Sequence, residues 1–346
     1  MADQQDTVYN AKAMPFPGSR RRFLTLGMGL FLGGAVSRTR CGAGELEVAK
    51  KSSNALGTRV SLTVLHHDGQ EGADAIDSAL SELERVEQLM SIYRNGSQLS
   101  ELNRHGEVNN PDPLFLAIMR TAMEWSRRSN GAFDITVQPL WELFEHARQN
   151  GTTPDLAVIE EARGKVNWRE IEISASGIRF KKIGMAVTLN GIAQGFATDR
   201  VRNVLTARGV EHALIDCGEL GTVGVNSQGQ PWRVGIQHPR EQDAFISVAR
   251  LAGRSLSTSG DYETTFTPDF RLNHLFDPRT GQSPADLASV TIAAPRATHA
   301  DALSTAVFVL GLAEGMRLIE AETNTDAFLV LKNGRSIATK GFPWGA

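Results

Sequence analysis

The segment Asn190–Ala197 reads Asn-Gly-Ile-Ala-Gln-Gly-Phe-Ala and joins a short apolar stretch, Met185–Leu189, to a helical pattern that runs from Ala193 to Arg208. We expect the stretch to be a strand and the segment to turn the chain into the helix. Because glycine has no side chain, its two glycines let the backbone approach a phosphate at the helix N-terminus, which favours anions. They equally suit a tight turn followed by close helix packing. Both interpretations put a strand-to-helix junction inside the chain, which indicates a fold that mixes strands and helices.

Strands and helices are mixed on both sides of this junction, without the regular alternation of a parallel sheet. Alternating or short apolar stretches predict strands at Arg59–Leu65, Ile171–Ile173, Ile178–Lys181, Ala213–Asp216, Trp232–Gln237, Ala244–Leu251 and Ser289–Ala293, and a closing hairpin of Ala327–Leu331 and Ser336–Thr339 around Asn333-Gly334. Helical spacing predicts helices over Ala73–Met90, Pro113–Arg128, Pro139–Arg148, Asp301–Leu310 and Leu312–Ala321. No internal repeat is visible, so we predict one α+β unit or two subdomains around a cleft.

The composition is that of a folded globular protein, since 41% of the 346 residues are apolar and 22% are charged. Lys and Arg number 36 against 39 for Asp and Glu, so the chain lacks the basic excess that nucleic-acid binding requires. The two cysteines, Cys41 and Cys217, do not provide a disulfide framework. The common signatures of phosphate loops, dinucleotide-binding folds, zinc proteases and serine hydrolases are absent from the sequence.

The N-terminal segment has a composition of its own. Arg20–Arg22 precede Phe-Leu and an apolar run, Leu24–Val36, which is too short to span a bilayer as a helix. This order is typical of a signal peptide, and the paired arginines favour the twin-arginine type over an ordinary secretory signal or an N-terminal anchor. We therefore predict a signal peptide over residues 1–43, a linker over 44–54 and a folded domain over 55–346, in a periplasmic protein.

Three other clusters carry candidate chemistry. Asp301 and Thr305 lie four apart on a predicted helix, which puts a carboxylate and a hydroxyl on one face and suits Mg²⁺, although Asp301 also fits a helix start. His274–Gly281 combines a histidine and an arginine with a turn signal, and is either a site for protons and phosphate or a structured loop. Gly131–Val137 places an aromatic ring between small residues, which suits either contact with a flat ring or a buried strand edge.

Together these clusters resemble, in order and spacing, the ApbE family of FAD:protein FMN transferases. The resemblance extends from about Leu56 to the C-terminus, nearly the whole chain after the signal. It is carried by Met90–Arg94 with Ser97–Asn103, Gly131–Pro139, Gly191–Ala193 with Gly195, Trp232–Ile236, Ser257–Tyr262, His274–Gly281 and Asp301–Gly311.

Within that family the chain looks most like the NosX branch, which is associated with nitrous oxide reductase maturation. The features behind this are Thr188–Gly195, Cys217–Glu219 and the twin-arginine signal. Many members of the family have Asp, Gly and Lys at the positions of Thr188, Asn190 and Gln194, and Gly-Gly at the position of Gly218-Glu219.

The resemblance implies an ApbE-like, T-fold-related α+β unit with a flavin-binding cleft. It implies that FAD donates FMN to a Ser or Thr hydroxyl of an acceptor flavoprotein, with AMP as the leaving group and Mg²⁺ as the cofactor. His274 is then the residue that accepts the hydroxyl proton. The implied metal ligands are Asp301, Thr305, Ser304 and the Ala193 carbonyl, and the implied flavin or phosphate contacts are Leu56, Tyr93, Ala132, Phe133, Asp134, Asn190, Phe196, Phe276 and Arg279.

Two alternatives remain open at the level of sequence. One is a protein that binds FAD or FMN without transferring it. The other is an FAD pyrophosphatase, in which water replaces the acceptor hydroxyl. The resemblance to the NosX branch points to an acceptor in the periplasm, the flavin domain of a membrane protein of the nitrous oxide reductase system.

Overall fold

The computed structural model describes residues 46–345, so the predicted signal peptide lies outside the described residues. The chain is built around an eight-stranded sheet in which every pair of neighbouring strands is antiparallel. In spatial order its strands are β1 (Glu47–Ala55), β2 (Thr58–His66), β6 (His212–Asp216), β7 (Leu220–Val223), β10 (Ser255–Gly260), β11 (Leu287–Ala294), β12 (Asp326–Leu331) and β13 (Ser336–Ala338).

Two smaller sheets and seven helices complete the described part of the chain. A three-stranded sheet has the order β3 (Glu107–Asn109), β5 (Gly177–Phe180), β4 (Ile171–Ile173), and a hairpin pairs β8 (Trp232–Gln237) with β9 (Phe245–Leu251). The helices are α1 (Gly69–Met90), α2 (Gln98–His105), α3 (Pro113–Arg128), α4 (Gln138–Gln149), α5 (Leu156–Arg163), α6 (Ala193–Ala207) and α7 (Ala297–Glu320). The α+β class predicted from the sequence is confirmed.

Both faces of the large sheet are covered, and this explains why its central strands are so apolar. Helices α1, α6 and α7 pack on one face, where they meet alternate strand residues such as Val290 and Ile292. The β8–β9 hairpin and the C-terminal segment cover the other face, where they meet Ala293 and Phe328. All eight residues of β11 are consequently buried. A strand covered on both faces reads as a continuous apolar run rather than an alternating one.

Helix α7 carries three of the predicted metal ligands, Asp301, Ser304 and Thr305, and lies in the core. It contains one residue outside helical geometry, Gly311, with φ 76° and ψ −178°. A side chain there would meet Oδ2 of Asp286 at 2.6 Å, so the break requires glycine. The two helices predicted on either side of position 311 are thus one interrupted helix. Among residues 46–345, α7 alone is long and apolar enough to cross a membrane, and its burial identifies it as a core helix.

Two predictions of local structure are wrong. Residues 47–54 fall within the predicted linker, yet they belong to β1 (Glu47–Ala55), which pairs along its whole length with β2. The stretch Met185–Leu189 is not part of any sheet. Its backbone bonds elsewhere, because the amide side chain of Asn103 binds both N and O of Val187, and Thr188 N donates to the carbonyl of Ile135. These long-range hydrogen bonds satisfy backbone groups that a strand partner would otherwise bind.

The free cysteine of the described residues, Cys217, follows β6 and is fully buried. Burial, reinforced by the neighbouring Asp216, raises the pKa of its thiol well above the usual range. A thiol held neutral in this way is a poor nucleophile.

Candidate active site

Helices α6 and α7 are in close contact at Gly195. Its backbone N–H donates to Oδ2 of Asp301 over 2.8 Å. A side chain at this position would put a Cβ 2.4 Å from the carbonyl oxygen of Ala297, so only glycine allows the contact. The second glycine of the opening segment therefore has a packing role, and that packing aims the first turn of α6 at a buried carboxylate.

Hydroxyl groups from α7 and β10 extend this contact into a chain of oxygen atoms. We call the side-chain oxygens of Asp301, Ser304, Thr305 and Ser259 the oxygen set. Ser259 Oγ lies 2.8 Å from Ser304 Oγ and 3.2 Å from Thr305 Oγ1, and Ser304 also donates to the carbonyl of Asp301 at 2.9 Å. A Cβ built on Gly191 would lie 3.0 Å from Thr305 Oγ1. The turn before α6 thus closes over the same hydroxyl.

This donor set fits a hard divalent cation. Burial raises the pKa of Asp301 to about 7, against the opposing effect of the Gly195 N–H. A buried carboxyl so poorly compensated is a natural partner for a cation. Among residues 46–345 no group of three or more His, Cys, Asp or Glu has the arrangement of a metal site. In any metal site here, hydroxyl and backbone oxygens would have to complete the ligand set, as magnesium allows. Ala193, whose carbonyl is the predicted backbone ligand, is the first residue of α6.

Glu219 is a carboxyl next to this set that the sequence did not assign. It is the last residue of the turn between β6 and β7, is buried, and accepts a hydrogen bond from the Thr258 N–H at 3.3 Å. Burial first, and the nearby Asp301 second, raise its pKa well above the usual range. The sequence drew attention to Glu219 only as a difference from many ApbE proteins. An acidic residue in an otherwise apolar and glycine-containing turn is the one signal that could have identified it.

A small cavity of about 60 Å³ opens beside Glu219. Its walls come from the β1–β2 turn, the ends of β6 and β10, and β8, and include Thr58, Asp216, Thr258, Tyr262 and Glu263. Gly218 lies in its wall without a side chain because a Cβ there would be 2.5 Å from Cδ of Gln194. Burial raises the pKa of Asp216 to about 6. The cavity is therefore lined by carboxyl groups that prefer to be neutral.

His274 lies in the loop that follows β10. Its backbone N–H donates to the carbonyl of Thr264 at 3.0 Å, and its ring Nδ1 lies 3.3 Å from the same oxygen. A proton on Nδ1 satisfies that carbonyl and leaves the electron pair on Nε2 to accept a proton, so we assign this tautomer. The loop begins directly after the strand that carries Ser259, which links His274 to the oxygen set through one segment of chain.

Several predicted flavin contacts lie close to this set. Phe133 is buried, and its Cε2 lies 3.3 Å from the Cβ position of Gly191. The carbonyl of Leu56, at the tip of the β1–β2 turn, accepts a 3.5 Å hydrogen bond from the Gln194 amide. Asn190 is exposed directly before Gly191. These residues surround the start of α6, where the sequence predicted a ligand.

The other predicted flavin contacts are more varied. Phe196 is half-buried on α6 and packs on the main core, whereas the ring of Tyr93 is 55% exposed after α1. Ala132 is buried beside Phe133. The Asp134 carboxylate is already occupied, since it accepts from N and Oγ1 of Thr136 and from the N–H of Trp168.

Two predicted contacts, Phe276 and Arg279, have other partners in the structure, and their flavin or phosphate role stays a prediction. Phe276 is buried in a separate cluster, with its ring centroid 5.1 Å from that of Phe144 and 6.1 Å from that of Phe266. The ring is enclosed because apolar side chains from α4 and α5 need a partner from the loop. Arg279 turns back on its own loop, where its guanidinium binds the carboxylate of Asp277 at 2.8 Å. The guanidinium is exposed, and its charge is paired within the turn by Asp277.

Comparison with known proteins identifies the family of this chain. A sequence profile described as the ApbE family matches residues 56–329. The chain is 31% identical over 297 residues to an FAD:protein FMN transferase of Salmonella typhimurium, with 82% of this chain and 84% of that protein covered. The crystal structure of the ApbE protein of Thermotoga maritima superimposes with a TM-score of 0.78 at 28% identity, covering 86% of this chain and 100% of the other. The apo form of the Pseudomonas stutzeri flavinyl transferase ApbE gives 0.77 at 28% identity, covering 88% and 100%. The chain therefore belongs to the ApbE family.

Proposed function

We propose that this protein is a magnesium-dependent FAD:protein FMN transferase. It moves FMN from FAD to a Ser or Thr hydroxyl of an acceptor flavoprotein and releases AMP. The single observation that carries the proposal is the Gly195–Asp301 contact, which places a buried carboxylate and the hydroxyls of Ser304 and Thr305 at the N-terminus of α6. A helix N-terminus attracts phosphate, and hard oxygens attract magnesium, so the same spot suits the pyrophosphate of FAD and its counter-ion.

In the proposed reaction the acceptor oxygen attacks the FMN-side phosphorus of FAD. A new P–O bond forms to the acceptor, the P–O bond to AMP breaks, and AMP leaves with the bridging oxygen. The hydroxyl proton passes to Nε2 of His274, whose Nδ1 is directed at the Thr264 carbonyl. Asp301, Thr305, Ser304 and the Ala193 carbonyl would hold a magnesium ion. When bound, this ion withdraws charge from the pyrophosphate and stabilises AMP as a leaving group.

The chain's own residues also orient the donor. The backbone of Gly191, which carries no side chain, would face the phosphates at the turn into α6, while Gly195 keeps that turn packed against α7. We assign Phe133, Phe196, Asn190 and Leu56 to the flavin side of the cleft, together with the exposed ring of Tyr93. Ala132 and Asp134 shape that side through the backbone, since Asp134 is used internally. Positioning and charge neutralisation account for most of the catalysis of phosphoryl-type transfers.

We further propose that the protein works in the periplasm after twin-arginine export, as a NosX-like member of the family. Its acceptor would then be the flavin domain of a membrane protein in the nitrous oxide reductase system. The arginines at 20–22 and the short apolar run after them support export. The resemblance over Thr188–Gly195 and Cys217–Glu219 supports the branch, and with it the acceptor.

The experiment is incubation of the protein with FAD, magnesium and a candidate acceptor domain, followed by mass spectrometry of the acceptor. A mass gain of one FMN less one water on a Ser or Thr is the expected result. Release of FMN and AMP with no change in acceptor mass would identify a pyrophosphatase. Retention of intact FAD would identify a binding protein. In the same assay, His274→Ala should slow transfer by about 10²–10⁴-fold while FAD still binds, because a positioned base contributes about that much.

A further inference from the structure

Asp261 follows β10 directly, and its fully buried carboxylate is held by two cations from other parts of the chain. Arg240, in the loop between β8 and β9, donates from Nη1 to Oδ1 at 2.7 Å and from Nη2 to Oδ2 at 2.8 Å. Lys332, in the turn between β12 and β13, places Nζ 3.6 Å from Oδ2. The two-pronged contact with Arg240 fixes the orientation of the carboxylate as well as its charge. The start of the loop after β10 is therefore anchored at Asp261.

The same two cations also hold Phe270, further along the loop. Phe270 has a left-handed backbone with φ 60°, which is uncommon for a residue with a bulky side chain. The guanidinium carbon of Arg240 lies 4.4 Å from the centroid of its ring, and Lys332 Nζ donates to its carbonyl at 2.9 Å. A strained residue keeps its conformation only when its surroundings enforce it. Arg240 thus contacts both Asp261 and Phe270 and bounds the segment between them.

His274 takes its position from within that segment. Its N–H and its Nδ1 both face the carbonyl of Thr264, which lies between the two anchored residues. The preceding residue, Asn273, donates from Nδ2 to the carbonyl of Phe270 at 3.2 Å. Any displacement of residues 262–270 would move the acceptor that orients the imidazole. A shift of about 1 Å in a reacting group is enough to cost a factor of about 10² in rate.

We propose that Arg240 is a positioning residue for His274. It acts through the loop of residues 261–274, by binding Asp261 and covering Phe270, and it does not touch the reacting atoms. The inference rests on the proposed function in one respect, that the imidazole of His274 accepts the acceptor's proton.

The test is a double-mutant cycle with Arg240→Ala and His274→Ala. Alone, Arg240→Ala should lower the transfer rate at saturating FAD by about 10-fold or more, with the Kd for FAD changed less than about 3-fold. In the His274→Ala background the same change should have no further effect on the rate, because no imidazole remains to be positioned. Arg240→Lys keeps the charge but loses the two-pronged contact, so it should restore only part of the rate. It also replaces Arg240→Ala in the cycle if that variant does not fold.

A matched control is Arg254→Ala. Arg254 also pairs with a partly buried Asp, at 2.9 Å from Oδ2 of Asp326, and it also donates to the carbonyls of Ala293 and Asn324, which lie outside the loop. It should lower stability without changing the transfer rate of the folded protein. Hydrogen exchange gives a readout that needs no activity, since residues 262–274 should exchange faster in Arg240→Ala than in Arg254→Ala.

Three results overturn the proposal. They are equal slowing by Arg240→Ala in both backgrounds, an unchanged transfer rate in the single variant, and unchanged exchange in the loop. Failure of the proposed function looks different: the wild type then transfers no flavin at all. In that case the exchange measurement still decides whether Arg240 holds the loop.

Discussion

The carboxylate of Asp199, on α6, caps the first turn of α7 by accepting the N–H of Thr298 at 3.0 Å and its hydroxyl at 2.6 Å. Its other oxygen accepts the N–H of Ala297 at 2.9 Å. Helix α7 has no capping side chain of its own, so the cap comes from the neighbouring helix. The position of α7 relative to α6 is therefore fixed at two points. One is the packing of Gly195 against Ala297 and Asp301, and the other is the Asp199 cap.

Replacing Asp199 with Ala should consequently cost both stability and transfer. Loss of a capping side chain typically costs about 1–2 kcal/mol of the free energy of unfolding. Urea denaturation and the FMN transfer assay measure the two effects. Asp112→Ala is the control, because Asp112 caps α3 through the Leu114 N–H and lies outside the site. It should lower stability by a similar amount and leave the rate of the folded enzyme unchanged; equal losses of rate in both variants would contradict the role of the Asp199 cap in positioning α7.

The oxygen set predicts a separation of activity from stability. Asp301→Asn and Thr305→Val should each lower magnesium-dependent transfer by about 10²-fold or more. In metal-free buffer, Asp301→Asn should not lower the free energy of unfolding, because burial already disfavours the charged carboxylate and an amide oxygen can still accept the Gly195 N–H. Asp286→Asn, at the Gly311 break, serves as control and should transfer normally. Wild-type rates from Asp301→Asn at limiting magnesium would remove Asp301 from the metal site.

Gly195→Ala should be strongly destabilising, by about 1–3 kcal/mol, because the new methyl group would lie 2.4 Å from the Ala297 carbonyl and 2.7 Å from Cβ of Asp301. The two helices must separate to admit it, so transfer should fall as well. Gly96→Ala is the control, since a Cβ there has no neighbour within 4 Å. Thermal unfolding and transfer assays on both variants check the prediction, and a stable, active Gly195→Ala protein would show that the helices are not in tight contact.

Asp216 predicts a pH dependence of stability. Its pKa is about 6 in the folded protein, raised from 3.8 by burial, so the folded state holds the proton more tightly than the unfolded state. Stability should therefore fall as the pH rises from about 4 to about 6, and the full cost remains above that range. Asp216→Asn removes the charge and keeps an acceptor for the Gly218 N–H, and should gain at most about 3 kcal/mol at pH 7.5.

Urea denaturation of wild type and Asp216→Asn at pH 4 and pH 7.5 makes that measurement. Asp77→Asn, an exposed carboxylate that pairs with Lys51, is the control and should show no comparable gain. A gain that is the same at both pH values would mean that the benefit comes from something other than the titration of Asp216.

The export proposal predicts that Arg20→Lys with Arg21→Lys retains the precursor in the cytoplasm. Lysine carries the charge but lacks the planar fork of donors that distinguishes arginine. Cell fractionation and immunoblotting follow the protein, and a triple variant that includes Arg22→Lys guards against substitution by the neighbouring arginine. Normal periplasmic amounts of the triple variant would indicate another export route.

Sequence periodicity predicted the long elements well, because each buries one broad face. Helices α1, α3 and α6 begin and end within a few residues of their predicted bounds, as does the closing hairpin. Strands β7 and β10 were missed, since Leu-Gly-Thr-Val and Ser-Leu-Ser-Thr-Ser-Gly have little apolar alternation. β7 and β10 lie in the middle of the large sheet and pair with strands on both sides. That pairing is a tertiary constraint, and it leaves no signal in the local sequence.

The residues of the candidate site were also predictable only where they share one element of secondary structure. The spacing of Asp301 and Thr305 was visible because they share one helix, and the glycines because they share one turn. The contacts of Ser259 with α7, of Glu219 with Thr258, and of Arg240 with Asp261 join segments that are distant in the chain. No pattern within a single element reports such pairs. Phe276 and Arg279 were predicted as ligand contacts from their motif. In the structure Phe276 packs in an apolar cluster and Arg279 pairs with Asp277.

The buried thiol of Cys217 offers a way to measure how often the core of the protein opens. The thiol is fully enclosed, and its raised pKa leaves almost no thiolate at neutral pH, so a thiol reagent can modify it only in molecules whose core has opened. After removal of residues 1–43 no second cysteine remains to compete for the label. The labelling rate of the processed protein would therefore measure the opening equilibrium under native conditions, without denaturant and without an engineered cysteine.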